Sequence, residues 1–221
     1  MLSKPDLAIL GAGGTGRYMR DVALRTGSYR EVFYLDDDTE KQSSGVDGAP
    51  TMGPLEHWQE LPPDTQFLSS LYAPAANQAH WRRVTSLKIP DDRWTSVLDP
   101  TAVISKNSTI GVGCFIGSHT TIEPGVSLAN HCAIAQNVTI AHDTKISSYS
   151  YCAFQVAIGS RVSVGEYTFV GIGARIRGDL EIGRNSLIGV GATVISAVPP
   201  SAVVVGNPAR PLEKSIKGLR R

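Results

Sequence analysis

An aliphatic residue returns at every sixth position through the second half of this 221-residue chain. The series runs Ile104, Ile110, Ile116, Ile122, Leu128, Ile134, Ile140, Ile146, then Ile158, Val164, Val170, Ile176, Ile182, Ile188 and Val194, with Cys152 standing in once. That makes sixteen consecutive sites in one register. The position after each is often Gly or Ala, as at Gly111, Gly117, Ala135, Gly165 and Gly189. The fourth position after each is small or of modest size, as at Cys114, Thr120, Val126, Thr144 and Ala174. A helix repeats at 3.6 residues and cannot hold a strict period of six. A triangular prism can. Six residues make one flat face and one corner, three hexads make an 18-residue coil, and the aliphatic residue of each hexad points inward to stack on its neighbours above and below. Coils spaced at about 4.8 Å give about five turns and a rod of roughly 25 Å from sixteen hexads. Broad exposed faces of this kind predict association with further copies and cyclic closure.

The first hundred residues follow another rule. Leu7–Leu10 is a short apolar strand running into Gly11-Ala12-Gly13-Gly14-Thr15-Gly16, followed by a helical stretch from Arg17 to Thr26. Val32–Leu35 is a second strand ending in Asp36-Asp37-Asp38. A Gly-x-Gly-x-x-Gly turn between strand and helix, with an acid about 20 residues on, is the dinucleotide-fold fingerprint. Its glycines let backbone N–H groups approach a phosphate at the helix N-terminus, and the acid is placed to accept hydrogen bonds from a ribose or a base. Tight-turn glycines in a plain α/β domain would give the same pattern. Residues 36 to 65 read as irregular, Gln66–Leu71 as a third strand, Ala75–Leu87 as a helix and Trp94–Leu98 as a last strand. Such a unit is half of a dinucleotide fold, a size better matched to a nucleotide-sugar than to NAD. The expected layout is an α/β Rossmann-like half-domain over residues 1–98 and an all-β parallel β-helix over residues 99–221.

Composition narrows the partners. With 21 basic and 20 acidic residues, nothing marks nucleic acid or an anionic membrane as the main partner. Three cysteines without a CxxC pair point to structural thiols rather than a disulfide framework or a zinc knuckle. The start, Met1 to Asp6, lacks the pattern of a signal peptide, and no apolar run reaches membrane-spanning length. The expectation is a cytoplasmic protein. His119, His131 and His142 lack the close ligand spacing of a metal site, so no metal is expected, and His57 and His80 read as ordinary surface groups.

The repeat resembles the hexapeptide repeat of left-handed β-helix acyltransferases. With the Gly-rich first domain, the linker Asp99-Pro100-Thr101-Ala102, the segment Ile140-Ala141-His142-Asp143-Thr144 and the terminal Val205-Gly206-Asn207-Pro208-Ala209-Arg210, nearly the whole chain resembles one family. This is the bacterial sugar acyltransferase family that includes sialic-acid O-acetyltransferases and N-acetyltransferases of UDP- or GDP-linked 4-amino sugars. The resemblance implies a homotrimer, acetyl-CoA as co-substrate and a nucleotide-sugar acceptor. It assigns a catalytic His-acid pair to His142 and Asp143. Sugar-nucleotide contacts fall on Gly13, Gly14, Thr15, Asp36 and Asp37, and acyl-CoA contacts near Tyr151, Ser160, Ile172, Gly173 and Val190. The chain departs from common family features at Thr15, Tyr72-Ala73-Pro74 and Ala135-Gln136, positions that bear on the acceptor sugar.

Acyl transfer from a thioester needs a base, a donor for the tetrahedral oxyanion and alignment of the two substrates. His142 is the natural base, because imidazole titrates near working pH. Asp143 is placed to set its tautomer. Ser160, one 18-residue coil on, offers its backbone N–H as oxyanion donor. Arg175, Arg177, Arg184, Arg210, Lys214 and Lys217 gather toward the C-terminal coils, where they would meet CoA phosphates or simply solvent. The leading expectation is N-acylation of a nucleotide-linked amino sugar. Sialic-acid-type O-acetylation serves the same histidine chemistry, and a non-catalytic trimeric scaffold would need neither the His-Asp pair nor the Gly-rich turn.

Overall fold

The computed structural model describes residues 4–74 and 76–212. Lys214 and Lys217 lie outside the described residues. The chain opens with β1 (Leu7–Leu10), α1 (Gly14–Thr26) and β2 (Val32–Leu35), continues through α2 (Thr39–Ser44) and β3 (Gln66–Ser69), and reaches α3 (Asn77–Ser86). The strands form a parallel sheet in the order β2-β1-β3. Central β1 is fully buried, as expected of a strand covered on both faces. Helix α1 starts three residues before the expected Arg17, and Gly27 ends it in the left-handed conformation with its N–H on Leu24 O. The stretch read as irregular contains α2, because the Asp38 carboxylate caps it by accepting Glu40 N–H at 3.0 Å. A 3-10 turn, Leu55–Glu60, follows.

From Val97 onward the chain winds as a left-handed parallel β-helix of about six coils. Two-residue rungs build three parallel sheets. The first face carries Val97–Leu98, Phe115–Ile116, Ala133–Ile134, Tyr151–Cys152, Phe169–Val170, Leu187–Ile188 and Val203–Val205. The second face runs from Val103–Ile104 to Thr193–Val194, and the third from Thr109–Ile110 to Glu181–Ile182. Rungs pair 18 residues apart, as Ile140 with Ile158, until Leu187 pairs with Val203 and the last coil shortens at Pro199 and Pro200. The prism is a coil longer than sixteen hexads predict. Leu98 already stands six residues before Ile104 and packs on the core.

The hexad pattern sets the interior. From Ile116 to Val194 every aliphatic site, Cys152 included, is at most 3% exposed. The fourth position after each also points inward. Where it is a hydroxyl, it is hydrogen-bonded to a backbone carbonyl: Thr120 to Ala135 O, Thr144 to Gly159 O, Ser150 to Gly165 O and Thr168 to Gly183 O, at 2.7 to 3.1 Å. Those bonds remove the cost of burying a polar group. Cys114, Cys132 and Cys152 are buried and unbridged.

The two parts meet on the first face. Its outward residues, Phe115, Ala133, Tyr151, Phe169 and Leu187, are apolar, whereas the second face presents Thr121, Thr139 and Arg175 and the third Ser127, Lys145 and Glu181. Tyr18 of α1 packs edge-on against Phe115 and accepts the Ser118 N–H at 2.9 Å. Buried Asp99 binds Arg25, Thr101 and Ser118. Burial opposes its ionisation, but these donors outweigh it and hold the carboxyl well below the usual range. At the far edge Asn77 donates to the carbonyls of Tyr149 and Tyr167, and Tyr72 donates to that of His131. The strand read at Trp94–Leu98 serves both parts: Trp94 bridges to Phe67, and Val97–Leu98 pairs with Phe115–Ile116.

His131 lies in this seam, 8% exposed, stacked on Tyr149 and flanked by Trp81 and Trp94. Burial pushes its imidazole down to about 4, against a weak opposing pull from Asp91. In the unfolded chain it titrates near 6.5. Between those values the unfolded state binds a proton that the native state does not, so stability falls as pH drops from about 6.5 to about 4 and levels off below. His131→Phe is expected to flatten this part of the profile in urea unfolding followed across that window. A variant with the wild-type slope would exclude His131 as its source.

Candidate active site

The Gly-rich turn makes a cavity whose glycines have distinct duties. Gly11 sits at φ +96°, and a Cβ on Gly16 would stand 2.1 Å from the Gly11 carbonyl oxygen, so the helix closes onto the strand end only with glycine there. Gly13 and Gly14 have nothing within 4 Å of a Cβ position. They border a cavity of about 380 Å³ together with Thr15, Asp36, Lys41 and Tyr72. An adjoining cavity of about 200 Å³ shares Gly11, Asp36, Leu71 and His80 and adds Asp37, Leu55 and Arg83. The N-terminus of α1, which no side chain caps among the described residues, opens here with its positive dipole end.

Five residues expected at a nucleotide, Gly13, Gly14, Thr15, Asp36 and Asp37, thus lie together along these cavities. Both carboxylates are already engaged. Asp36 accepts the N–H groups of Ala12 at 2.7 Å and Asp38 at 3.0 Å, and Lys41 Nζ at 3.1 Å. Burial opposes its ionisation, but these donors together hold its carboxyl below the ordinary range. Asp37 accepts Leu55 N–H at 2.9 Å and Arg83 at 3.2 Å. No motif announces Lys41, Arg83 or His80, which line the space from α2 and α3. His80, read from sequence as a surface group, stands at both cavities because α3 turns this side toward the sheet's C-terminal edge.

His142 stands on the opposite side of the prism, at the corner between the second and third faces. The turn puts Asp143 at φ +60°, a conformation Asp tolerates better than most residues. Its carboxylate meets His142 Nδ1 at 2.9 Å. A carboxylate only accepts, so in the neutral ring the proton sits on Nδ1 and the lone pair on Nε2. The imidazole is 46% exposed, and among the described residues Nε2 has no partner. Glu123, which the sequence reading passed over, accepts the His142 N–H at 2.9 Å from the coil below. Gly125 lies under Asp143, where a Cβ would stand 2.3 Å from Oδ1. Ser160 is in register one coil above, and its N–H donates to no acceptor among the described residues. Arg161 donates its N–H to His142 O and pairs side-on with Asp179 at 2.7 and 3.0 Å.

The five residues expected near acyl-CoA are not one patch. Ser160 shares the His142 corner. Ile172 and Val190 form, with Phe154, an exposed apolar column at the corner between the first and second faces, and Gly173 follows Ile172 there at φ +67°. Tyr151 is buried in the domain seam, stacked on Phe169 and against Tyr72. Its place beside Thr15 ties it to the Gly-rich cavity rather than to either corner. Among the described residues no group of three His, Cys, Asp or Glu is placed to hold a metal, and no helix is long and apolar enough to cross a membrane.

Comparison with known proteins supplies the relatives of this fold. Residues 6–71 match the family described as the PglD N-terminal domain. The acetyltransferase domain of PglB from Neisseria gonorrhoeae FA1090 is 25% identical and superposes with a TM-score of 0.83 over 94% of this chain and 99% of that one. The same domain with acetyl coenzyme A gives a TM-score of 0.84 over 95% and 100%. PerB from Caulobacter crescentus, solved with CoA and GDP-perosamine, shares the fold at 21% identity and a TM-score of 0.82, covering 96% of this chain and 99% of its own. WeeI from Acinetobacter baumannii AYE does so at 22% identity and 0.83, covering 93% and 99%. No curated protein matches the sequence. The fold and these matches place the chain in the β-helix class of acyltransferases, with residues 6–71 similar to the PglD N-terminal domain. Over nearly its full length the chain is similar to the PglB acetyltransferase domain, and it shares its fold with PerB and WeeI.

The glycine geometry yields a contrast. Gly16→Ala forces backbone apart and is expected to destabilise by about 1–3 kcal/mol. Gly14→Ala, with open space at its Cβ, is expected to leave the melting temperature within a degree or so, or to raise it slightly. Thermal unfolding of the two variants checks the assignment, and equal losses would contradict it.

Proposed function

We propose that the chain is an acetyl-CoA-dependent N-acetyltransferase acting on a nucleotide-linked amino sugar, working in the cytoplasm as a homotrimer whose active sites are shared between copies. The observation that carries this reading is the half-exposed His142, with Nδ1 held by Asp143 and Nε2 free. The acceptor amine attacks the thioester carbonyl, a C–N bond forms, and His142 Nε2 takes the proton shed by the nitrogen. The N–H of Ser160 donates to the tetrahedral oxyanion. Collapse breaks the C–S bond, and the departing thiolate recovers the proton from the imidazolium. Asp143 fixes the tautomer and stabilises the transient positive charge. Acetyl coenzyme A in the Neisseria relative, and CoA with GDP-perosamine in the Caulobacter one, support both substrates.

In this reading Gly13, Gly14 and Thr15 receive the phosphates, while Asp36 and Asp37 order the walls around the nucleoside. The pantetheine arm lies along Phe154, Ile172, Gly173 and Val190, and Tyr151 closes the sugar side of the Gly-rich cavity. One chain holds its nucleotide cavity over the first face and its histidine at the corner opposite that face. The reaction therefore needs the histidine of one copy beside the cavity of the next.

His142→Ala is expected to lower kcat by roughly 10²- to 10⁴-fold with little change in substrate affinity. Raising the pH should partly rescue it if the acceptor is an amine, since more of the amine is then neutral, and far less if the acceptor is a hydroxyl. Full activity of the variant at neutral pH would refute the base assignment. A mixing experiment tests the shared site. His142→Ala and Gly14→Trp are each expected to be inactive alone, yet to regain about a quarter of wild-type activity once their subunits are exchanged at equal ratio. No recovery in proven mixed trimers, or a monomer by light scattering, would exclude a shared site.

A further inference from the structure

The Gly-rich cavity holds an unbalanced set of charges. Asp36, Asp37 and Asp38 follow one another at the end of β2, on the same side as the N-terminus of α1. Arg83 is committed to two carboxylates, Asp37 at 3.2 Å and Glu56 at 2.6 Å. Arg17, in the first turns of α1, is paired with Asp47 and is absent from the cavity wall. Among the described residues that leaves Lys41 as the ammonium, beside the imidazole of His80, on the wall formed by Gly13, Gly14 and Thr15. Its ammonium rests on Asp36 Oδ2 at 3.1 Å and Asp38 Oδ2 at 3.5 Å, with a third of the side chain exposed.

We propose that Lys41 is a specificity-determining residue that leaves Asp36 for the phosphates of the bound nucleotide and thereby selects sugars carried on a nucleoside diphosphate over those carried on a nucleoside monophosphate. This rests on the nucleotide-sugar reading above. A sugar diphosphate diester carries two negative charges and a monophosphate diester one. The helix N-terminus offers only about half a positive charge, enough to orient one phosphate but not to offset a second beside three aspartates. A lysine supplies the missing unit charge on a flexible stem with three donors. The exchange leaves no carboxylate stranded. When Lys41 departs, Asp36 keeps the Ala12 and Asp38 N–H groups, and Asp38 keeps that of Glu40. Asp36 acts in this scheme as a positioning residue, tying the strand end to the Gly-rich loop through Ala12 and parking the lysine until substrate arrives.

Calorimetry with the pairs UDP and UMP, and GDP and GMP, tests the assignment on the full chain. The wild-type protein is expected to bind the diphosphate of its preferred base about tenfold or more tightly than the monophosphate. Lys41→Met is expected to bring the two within about threefold, mainly by weakening the diphosphate, while Lys41→Arg restores most of the preference. An unchanged melting temperature verifies that each variant is folded. Retention of the full diphosphate preference by Lys41→Met, or lack of any preference in the wild type, overturns the proposal and leaves nucleotide binding standing. Failure of all four nucleotides to bind the wild type overturns the nucleotide-sugar reading and the proposal together.

Discussion

Up to the shortened last one, each coil of the prism hydrogen-bonds to the next at an 18-residue offset, and the rest of the molecule depends on that ladder. It fixes which side chains face inward, and the stacked Ile, Leu and Val columns then make it stable. Each fully buried aliphatic side chain contributes about 1.5–3 kcal/mol relative to an exposed one. The same ladder forces a left-handed residue into nearly every corner, with an N–H bonded to the coil below, as for Asp143 on Pro124 O and Arg161 on His142 O. A corner is thus a place in a coil where a polar side chain projects at a fixed angle without disturbing the interior. The His142–Asp143 pair occupies such a place and is held from beneath by Glu123 and Gly125.

The first domain is attached by chemistry that the prism does not repeat. Five outward positions of one face are apolar, and the first domain packs on four of them, Phe115, Ala133, Tyr151 and Phe169, between polar clasps at the two edges, Arg25–Asp99–Ser118 and Asn77–Tyr149–Tyr167. Large flat rings along the seam, His131, Tyr149, Trp81 and Trp94, fill the angle between sheet and prism. Rigid docking on the first face has a functional consequence. It carries the Gly-rich cavity away from the histidine of the same chain, which is the geometric ground for the proposed sharing of the site between copies.

The hexad period made the fold legible, since a strict six-residue repeat has one compact solution, and the inward set from Ile116 to Val194 follows from it residue by residue. Less was legible in the candidate site. The Gly-rich turn and its acid are local in sequence and were readable as a motif. The state of that acid was not, because Ala12, Asp38 and Lys41 reach it through the folded backbone. The extent of the prism was underestimated where the repeat loses its plain form, at Leu98 before it and at the shortened coil beyond Pro200.

The sequence alone determined the 18-residue coil and its buried columns and marked two candidate sites, because each is written as a short period or a contiguous motif. It also held the identity of the docking face, in Phe115, Ala133, Tyr151, Phe169 and Leu187 at 18-residue intervals, a signal that a six-residue reading averages over three equivalent faces. Only the tertiary structure decided that Tyr151 is buried beside Thr15, that Lys41 stands at the Gly-rich cavity and that His142 lies across the prism from it. Those relations join residues far apart in the chain, and they are set by how α1 and α3 pack against one chosen face, which no local pattern encodes.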